Sequence, residues 1–384
     1  MPRAPEEPRS LHPDARDGAG HGGAGPRPGT PPAPATGPTP PAAPVPSAHQ
    51  PTPPEAALTA DADTRPGTTL ISALTARARA TAHPHAPTGP CACADAPLAD
   101  RPDATVVRHA GTVAKAHAPD ADPTALALRV RVAARLPDVL LAPLAPAPVP
   151  LRDRLVTFWP YGAPVDPDDP DAAPWESAAT LLARLHRAPV PPGLPPMRGP
   201  AKAARAVDRL RSALRATPHA PARAAAGPVL AAWAALPGWA GAAAPMPGPA
   251  ALCHGDLHLG QLVRHPAPDG PWKLIDVDDL GAGVPAWDLA RPAAWYACGL
   301  LPPDEWTRFL TAYRRAGGPA VPPDGDPWPA LDVPARALTV QTAALAVTKA
   351  LAAARPLDEV EQAVADACAR MPALPPRRAP GIPD

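Results

Sequence analysis

From Thr68 onward the apolar positions fall into runs separated by proline, and their spacing predicts most of the elements. Leu70, Ile71 and Leu74 share one helical face, with Arg77 and Arg79 behind them, and Pro84, Pro87 and Pro90 end that helix. Two short β-prone runs flank His109-Ala110-Gly111, which reads as a hairpin with glycine at the turn. Leu128, Val132 and Leu136 recur at helical spacing over 126–136, and Leu155-Val156-Thr157-Phe158-Trp159 is strand-like up to Pro160-Tyr161-Gly162. Beyond that point the pattern turns helical. Pro174 opens a helix with Leu181, Leu182 and Leu185 on its buried stripe, and 201–215 repeats the pattern with Val207, Leu210 and Leu214. Trp306, Phe309, Leu310 and Tyr313 form an i, i+3, i+4, i+7 set closed by Gly317 and Gly318. Two alanine-rich helices follow, at about 335–354 and 357–370. Residues 251–292 break this helical run with short strands and most of the polar clusters. The sum is an α+β plan with two lobes: a small β-containing front, a hinge, and a larger, mainly helical back.

Composition changes the picture at the amino terminus. Proline accounts for 67 of 384 residues, and phenylalanine and tyrosine together for only five. Residues 1–66 hold much of that proline with alanine, glycine and threonine, and cannot bury enough apolar surface to offset chain entropy, so they read as a disordered arm. Within it Gly20, Gly22 and Gly25 match G-x-G-x-x-G, but no strand precedes the match and no helix follows it. Lysine plus arginine equals aspartate plus glutamate at 36 each, so no global field attracts nucleic acid or anionic lipid. The charge-free stretch 224–253 is interrupted by five prolines and is not expected to span a membrane. Five cysteines, an odd count, point away from a disulfide scaffold and towards a reducing cytoplasm, and MPRAPEEPRS does not read as a secretory signal.

The chemistry is concentrated in Leu252-Cys253-His254-Gly255-Asp256-Leu257-His258-Leu259-Gly260-Gln261-Leu262-Val263 and, further on, Leu274-Ile275-Asp276-Val277-Asp278-Asp279. An aspartate on a tight loop can accept a proton from a substrate hydroxyl. An amide oxygen and a second carboxylate can hold magnesium against nucleotide phosphates. Phosphoryl transfer asks above all for positioning and charge neutralisation, so hard oxygen ligands are the parts it requires. The chain has neither a Walker-type G-x-x-x-x-G-K nor a G-x-S-x-G nucleophile elbow.

H-G-D-L-H-x-x-Q followed by I-D-x-D-D resembles the catalytic core of the aminoglycoside phosphotransferase family, which includes choline and maltose kinases and shares the protein-kinase-like fold. The resemblance runs in order over about 100–355. Val113-Ala114-Lys115 resembles the strand whose lysine holds the nucleotide phosphates, and 156–162 resembles the hinge. Leu181-Leu182-Ala183-Arg184-Leu185-His186 is similar to the helix that opens the second lobe, and Ala286-Trp287-Asp288-Leu289-Ala290-Arg291 falls at a structural D-L-A.

The resemblance implies an ATP- or other nucleoside-triphosphate-dependent, magnesium-dependent kinase that phosphorylates a hydroxyl of a small polar molecule. Asp256 would be the catalytic base or orienting carboxylate. Asp276 and Gln261 would hold the metal, and Lys115 would bind the nucleotide. His254 would brace the loop, Asp288 would anchor the segment after the metal site, and Asp278 and Asp279 are secondary candidates. The implied layout is an arm at 1–66, an N-lobe at 67–155, a hinge at 156–165, a helical C-lobe at 166–371 and a tail at 372–384. Neither nucleic acid nor a membrane is an expected partner. Two positions depart from the common pattern. Gln261 stands where most members have asparagine, a trait shared with maltokinase-like members. No acidic residue lies between Thr124 and Pro137 to pair with Lys115, which leaves Asp120 or Asp122 to substitute.

Other clusters take plainer readings. His83, His85, Cys91 and Cys93 carry zinc-ligand chemistry, but their spacing matches no standard finger, and a proline-rich loop is the expected state. Asp166, Asp168, Asp169 and Asp171 read as a solvated loop, although they could attract a cationic acceptor. The tryptophans at 233, 239, 287, 295 and 306 read as packing residues. Two alternatives to an enzyme remain: a degenerate kinase fold that holds a ligand without turnover, and a recruiting role for the arm.

Overall fold

A computed structural model describes residues 69–85, 91–169, 172–217 and 220–373. The arm, the Gly20/Gly22/Gly25 match, Asp171 and all but the first two residues of the 372–384 tail lie outside the described residues. The first element is α1 (Leu70–Ala82), where the Thr69 hydroxyl accepts the N–H of Ser72 and caps the helix. A five-stranded antiparallel sheet follows, in the order β1 (Asp95–Arg101), β2 (Ala104–His109), β3 (Thr112–Ala116), β5 (Arg154–Pro160) and β4 (Val149–Leu151).

The β2–β3 hairpin forms around Ala110-Gly111, but the left-handed position is Ala110, at φ 50°, and not the glycine. Strand β1 has no alternating pattern to announce it. It is an edge strand that carries Pro97 at an irregularity in the register, a position where the missing N–H costs no ladder bond. Leu74 and Ala78 of α1 close a small core with Val107, Ala114, Ala116, Val156 and Phe158 of the sheet.

Helix α2 (Pro123–Arg135) begins on Asp122, whose carboxylate accepts the N–H of Ala125, with proline at the first position. Its Val132 and Ala133 join the main core and not the small one. Strand β5 pairs with β3 through Pro160, so the chain leaves the sheet at Tyr161. It then forms β6 (Ala163–Pro164), which pairs with β8 (Leu262–Arg264), itself paired with β9 (Trp272–Leu274). The remaining polypeptide is mainly helical: α3 (Trp175–Arg187), α4 (Gly199–Ala216), α5 (Ala226–Ala234), α6 (Ala290–Ala297), α7 (Pro303–Arg315), α8 (Trp328–Ala352) and α9 (Glu359–Arg370). The fold is α+β and two-lobed, with a small antiparallel sheet in front of a helical C-lobe.

Helix α8 starts well before the expected 335. Pro334 lies inside it, and burial of Pro334, Leu331 and Ala335 outweighs the roughly 3 kcal/mol that an interior proline costs a helix. The charge-free stretch forms α5, short 3-10 turns and β7 (Ala251–Cys253), and among the described residues no helix is long and apolar enough to cross a membrane.

Candidate active site

Two loops converge between the lobes. The first leaves β7 at His254-Gly255-Asp256, and β7 pairs with β10 (Gly281–Gly283), which closes the loop that begins at Asp276. Gly255 sits at φ 86°, and a Cβ there would collide with the carbonyl of Asp279, so the two loops approach as closely as glycine permits. Asp288 fixes this turn from below. Its Oδ2 accepts the backbone N–H of His254 at 2.6 Å, and its Oδ1 accepts that of Gly255 at 2.7 Å. Oδ2 also lies 2.9 Å from His186 Nε2, whose Nδ1 meets the Tyr313 hydroxyl at 2.7 Å. His186 and Asp288 are fully buried, so the catalytic-loop backbone is tied through a dry polar chain to α3 and α7.

The second loop is pinned from both sides. The Ile275 N–H donates to the Gln261 carbonyl at 2.9 Å, and the His254 ring Nε2–H donates to the Ile275 carbonyl at 2.8 Å. Asp276 is held at φ 64°, a costly backbone position for a residue with a side chain. Lys115 on β3 reaches across to it. Its ammonium lies 2.8 Å from Asp276 Oδ1 and 3.0 Å from Asp278 Oδ2. His117 Nδ1 lies 2.9 Å from Asp278 Oδ1, and its Nε2 meets the Thr157 hydroxyl at 2.8 Å. Burial opposes the Lys115 charge, yet Asp276 and Asp278 outweigh it and hold the ammonium above its ordinary value. Burial likewise opposes ionisation of Asp278, and Lys115 with His117 keeps it well below the usual carboxylate range.

Neither Asp120 nor Asp122 takes the place of the absent helix glutamate, since Asp122 caps α2 and Lys115 pairs with the Asp276 loop. What α2 contributes is a buried cation. Arg129 Nε donates to the Leu280 carbonyl at 2.8 Å and anchors the far end of the same loop.

Asp256 faces a different set of charges. Lys202 Nζ on α4 lies 2.6 Å from Asp256 Oδ2 and 2.7 Å from Asp279 Oδ2. Arg291 Nη2 lies 2.7 Å from Asp256 Oδ1, while its Nε donates to the Leu257 carbonyl at 2.9 Å. Arg198 Nε lies 3.7 Å from Asp279 Oδ1. Burial would raise Asp256, but Lys202 and Arg291 hold it far below the ordinary range. Burial is the first cause that raises Asp279; Lys202 works against it, and the charges of Asp256 and Asp276 add to the rise. His258 is lowered to about 4 by burial and then Arg291, against the opposing pull of Asp256 and Asp276. Lys202 bridges Asp256 to Asp279, and Gly255 packs on the Asp279 backbone, so the Asp256 loop and the loop that begins at Asp276 meet at one place. Gln261 is buried in the turn between them, with its backbone carbonyl bonded one residue before Asp276.

Lys202, Arg291 and Arg198 stand at the site without having been singled out from the sequence. One signal for Lys202 was available: the chain has only four lysines, at 115, 202, 273 and 349, against 32 arginines. A compact ammonium can share its protons between two carboxylates, where a planar guanidinium is built for one. Asp166, Asp168 and Asp169 lie in an exposed loop, and Trp287 and Trp306 are buried packing residues.

A family model described as "Phosphotransferase enzyme family" matches residues 103–331. No curated protein matches the chain. Among solved structures, a choline/ethanolamine kinase family protein from Mesorhizobium loti is 19% identical, covering 78% of this chain and 94% of that one, at a TM-score of 0.43. An ethanolamine kinase from Plasmodium vivax is 12% identical, covering 75% and 84%, at a TM-score of 0.45. A macrolide 2'-phosphotransferase from Brachybacterium faecium is 19% identical, covering 75% and 93%, at a TM-score of 0.39.

Proposed function

This chain belongs to the phosphotransferase enzyme family, and on that premise we propose that it moves the γ-phosphoryl group of ATP, or another nucleoside triphosphate, to a hydroxyl of a small polar acceptor. Aminoglycosides, sugars and amino alcohols are the acceptor classes to test. The observation that carries this reading is the pair of unlike charge clusters about one centre: Lys115 with Asp276 and Asp278 on one side, Asp256 with Lys202 and Arg291 on the other.

The donor set of Asp276, Asp278 and the Gln261 amide is made of hard oxygens and fits magnesium, with Asp278 held in place by Lys115 and His117. Bound there, magnesium would neutralise charge on the phosphates. The remaining steps belong to the chain's own groups. Lys115, lying between the lobes, transfers its ammonium from the carboxylates to the nucleotide phosphates. The segment 156–165 serves as the hinge beside the nucleotide, between an N-lobe at 67–155 and a C-lobe at 166–371. His254 and Asp288 hold the catalytic loop rigid, so that Asp256 presents one oxygen to the acceptor hydroxyl.

The acceptor oxygen bonds to phosphorus, the bond from phosphorus to the bridging oxygen breaks, the nucleoside diphosphate leaves, and the hydroxyl proton passes to Asp256. With its basicity suppressed by two cations, Asp256 works as an orienting acceptor that takes the proton late. A loose phosphoryl-transfer transition state asks for no more than this. Such a reaction suits the cytoplasm, where nucleoside triphosphates are abundant and the cysteines stay reduced.

The test is formation of nucleoside diphosphate by the purified chain across an acceptor panel, with and without magnesium. Acceptor-dependent turnover that requires magnesium is expected. Failure to bind nucleotide under either condition would overturn the proposal in favour of a degenerate kinase fold.

A further inference from the structure

The sequence reading puts His83 and the two cysteines in a proline-rich loop, of which residues 86–90 lie outside the described residues. His83, Cys91 and Cys93 come together with His109, and the ligand atom that each offers lies within 4.8 Å of all the others. His85, the fourth residue of the sequence cluster, is not in the group; its place is taken by a histidine from the end of β2. The separations have a recognisable pattern. His83 Nε2 and His109 Nε2 are 3.1 Å apart, Cys91 Sγ is 3.5 Å from His109 Nε2, and Cys93 Sγ is 3.6 Å from His83 Nε2. A tetrahedron with metal–nitrogen bonds of about 2.05 Å and metal–sulfur bonds of about 2.3 Å has nitrogen–nitrogen edges of about 3.3 Å and nitrogen–sulfur edges of about 3.5 Å. The observed edges match both.

The surroundings agree with a ligand role. His109 is fully buried, and its Nδ1 lies 2.6 Å from Asp95 Oδ1, which fixes the ring with its Nε2 lone pair turned inward. A carboxylate behind a ligating imidazole is the usual way such a ring is oriented. Asp95 is in turn 3.7 Å from Arg79. We propose that His83, Cys91, Cys93 and His109 form a structural zinc site that joins the end of α1 to the sheet.

Two thiolates with two imidazoles in tetrahedral disposition select zinc, and four protein ligands leave no open position for chemistry. The need for it is visible in the packing. The small core contains seven buried side chains, three of them alanines, and Leu74 is the one large apolar side chain that α1 buries in it. His83 terminates α1, Cys91 and Cys93 lead into β1, and His109 ends β2, so one ion would fix three elements that the core holds weakly.

The test begins with metal analysis of the full chain purified without chelator, where about one zinc per chain is expected. Cys91→Ser combined with Cys93→Ser should lose that zinc, and His85→Ala should keep it. Removing the metal from the wild-type protein should lower the unfolding temperature by about 5 °C or more. Refilling it with cobalt should give tetrahedral d–d bands with thiolate-to-metal charge transfer, a readout that survives even if the double variant fails to fold. Zinc retained by the double serine variant, or a metal-free wild-type protein that takes up cobalt without thiolate bands, would overturn the proposal.

Discussion

The two sides of the active centre are charged in opposite senses. Around Asp276 and Asp278, a single lysine faces two carboxylates, with His117 beside one of them. Around Asp256 and Asp279, Lys202, Arg291 and Arg198 face two carboxylates. The first side is short of positive charge and has oxygens to offer a divalent cation. The second is already neutralised by protein cations and has no use for one. Under the proposed function, a metal would be held on the first side and a neutral acceptor would approach the second, where no bare carboxylate competes for the ion. The comparison also explains why Lys115 rests on Asp276 and Asp278: those carboxylates are the nearest negative charge on its side.

The strongest attempt to break this comparison is Asp256→Asn. It keeps the shape and hydrogen-bonding reach of the side chain but removes its charge. Turnover should fall by about 10³-fold or more, with magnesium-dependent nucleotide affinity within about twofold of wild type. Acceptor-dependent nucleoside diphosphate formation and titration calorimetry check the two halves. Wild-type turnover in the variant would remove Asp256 from the mechanism.

The mirror substitution is Asp276→Asn, and it should act on the other quantity. Affinity for the magnesium nucleotide should weaken by about 100-fold, close to 2.7 kcal/mol. Affinity for the metal-free nucleotide should change little, because one carboxylate less repels the phosphates less. If both variants lose metal-dependent binding equally, the two sides are not chemically distinct.

Lys202→Met separates charge from shape on the acceptor side. Lys202 and Arg291 together depress Asp256 against its burial, so removing the lysine raises that carboxyl. Asp256 must be ionised to accept a proton, and the acid limb of kcat/KM should therefore move to higher pH, with a loss of about tenfold at neutrality. Lys202→Arg should restore the position of the limb better than it restores the rate, because a guanidinium cannot bridge Asp256 and Asp279 in the same way. A limb that stays in place in Lys202→Met would mean that Arg291 alone governs Asp256.

Much of the molecule is readable from its pattern because local signals and tertiary packing agree. The stripe of α3 and the Trp306–Tyr313 set of α7 are helical in both senses, and the H-G-D and I-D-x-D-D runs carry their own loops. The failures fall where distance in sequence hides contact in space. Strand β1, with Pro97 and no alternation, is defined by pairing with β2 and not by its own residues. Pro334 reads as a helix breaker, yet burial carries α8 through it. Lys202 lies 54 residues from Asp256, and His109 lies well downstream of the cysteines it joins, so neither grouping has a spacing to recognise. The family pattern places the partner of Lys115 on the next helix. It is found 161 residues away, because the loop after β9 is pinned by His254 and the backbone of Gln261.

His258 offers the smallest and most specific probe, since it senses both sides at once. Burial and the charge of Arg291 lower it to about 4, while Asp256 and Asp276 pull the other way and His254 adds to the lowering. The sign is fixed by linkage. Above an unfolded-state value near 6.5, both folded and unfolded chains carry it neutral, and its contribution to stability is fully present. As pH falls through the interval from 6.5 to 4, the unfolded chain takes up a proton that the folded chain refuses, and stability drops. Asp279, raised in the fold, acts in the opposite sense over part of that interval, but it is present in wild type and variant alike. Denaturation midpoints of wild type and His258→Asn, measured across that interval, should diverge steadily, with the variant losing less on acidification. Parallel curves would show that the balance of charges at His258 is not the one that Arg291 and the two aspartates impose.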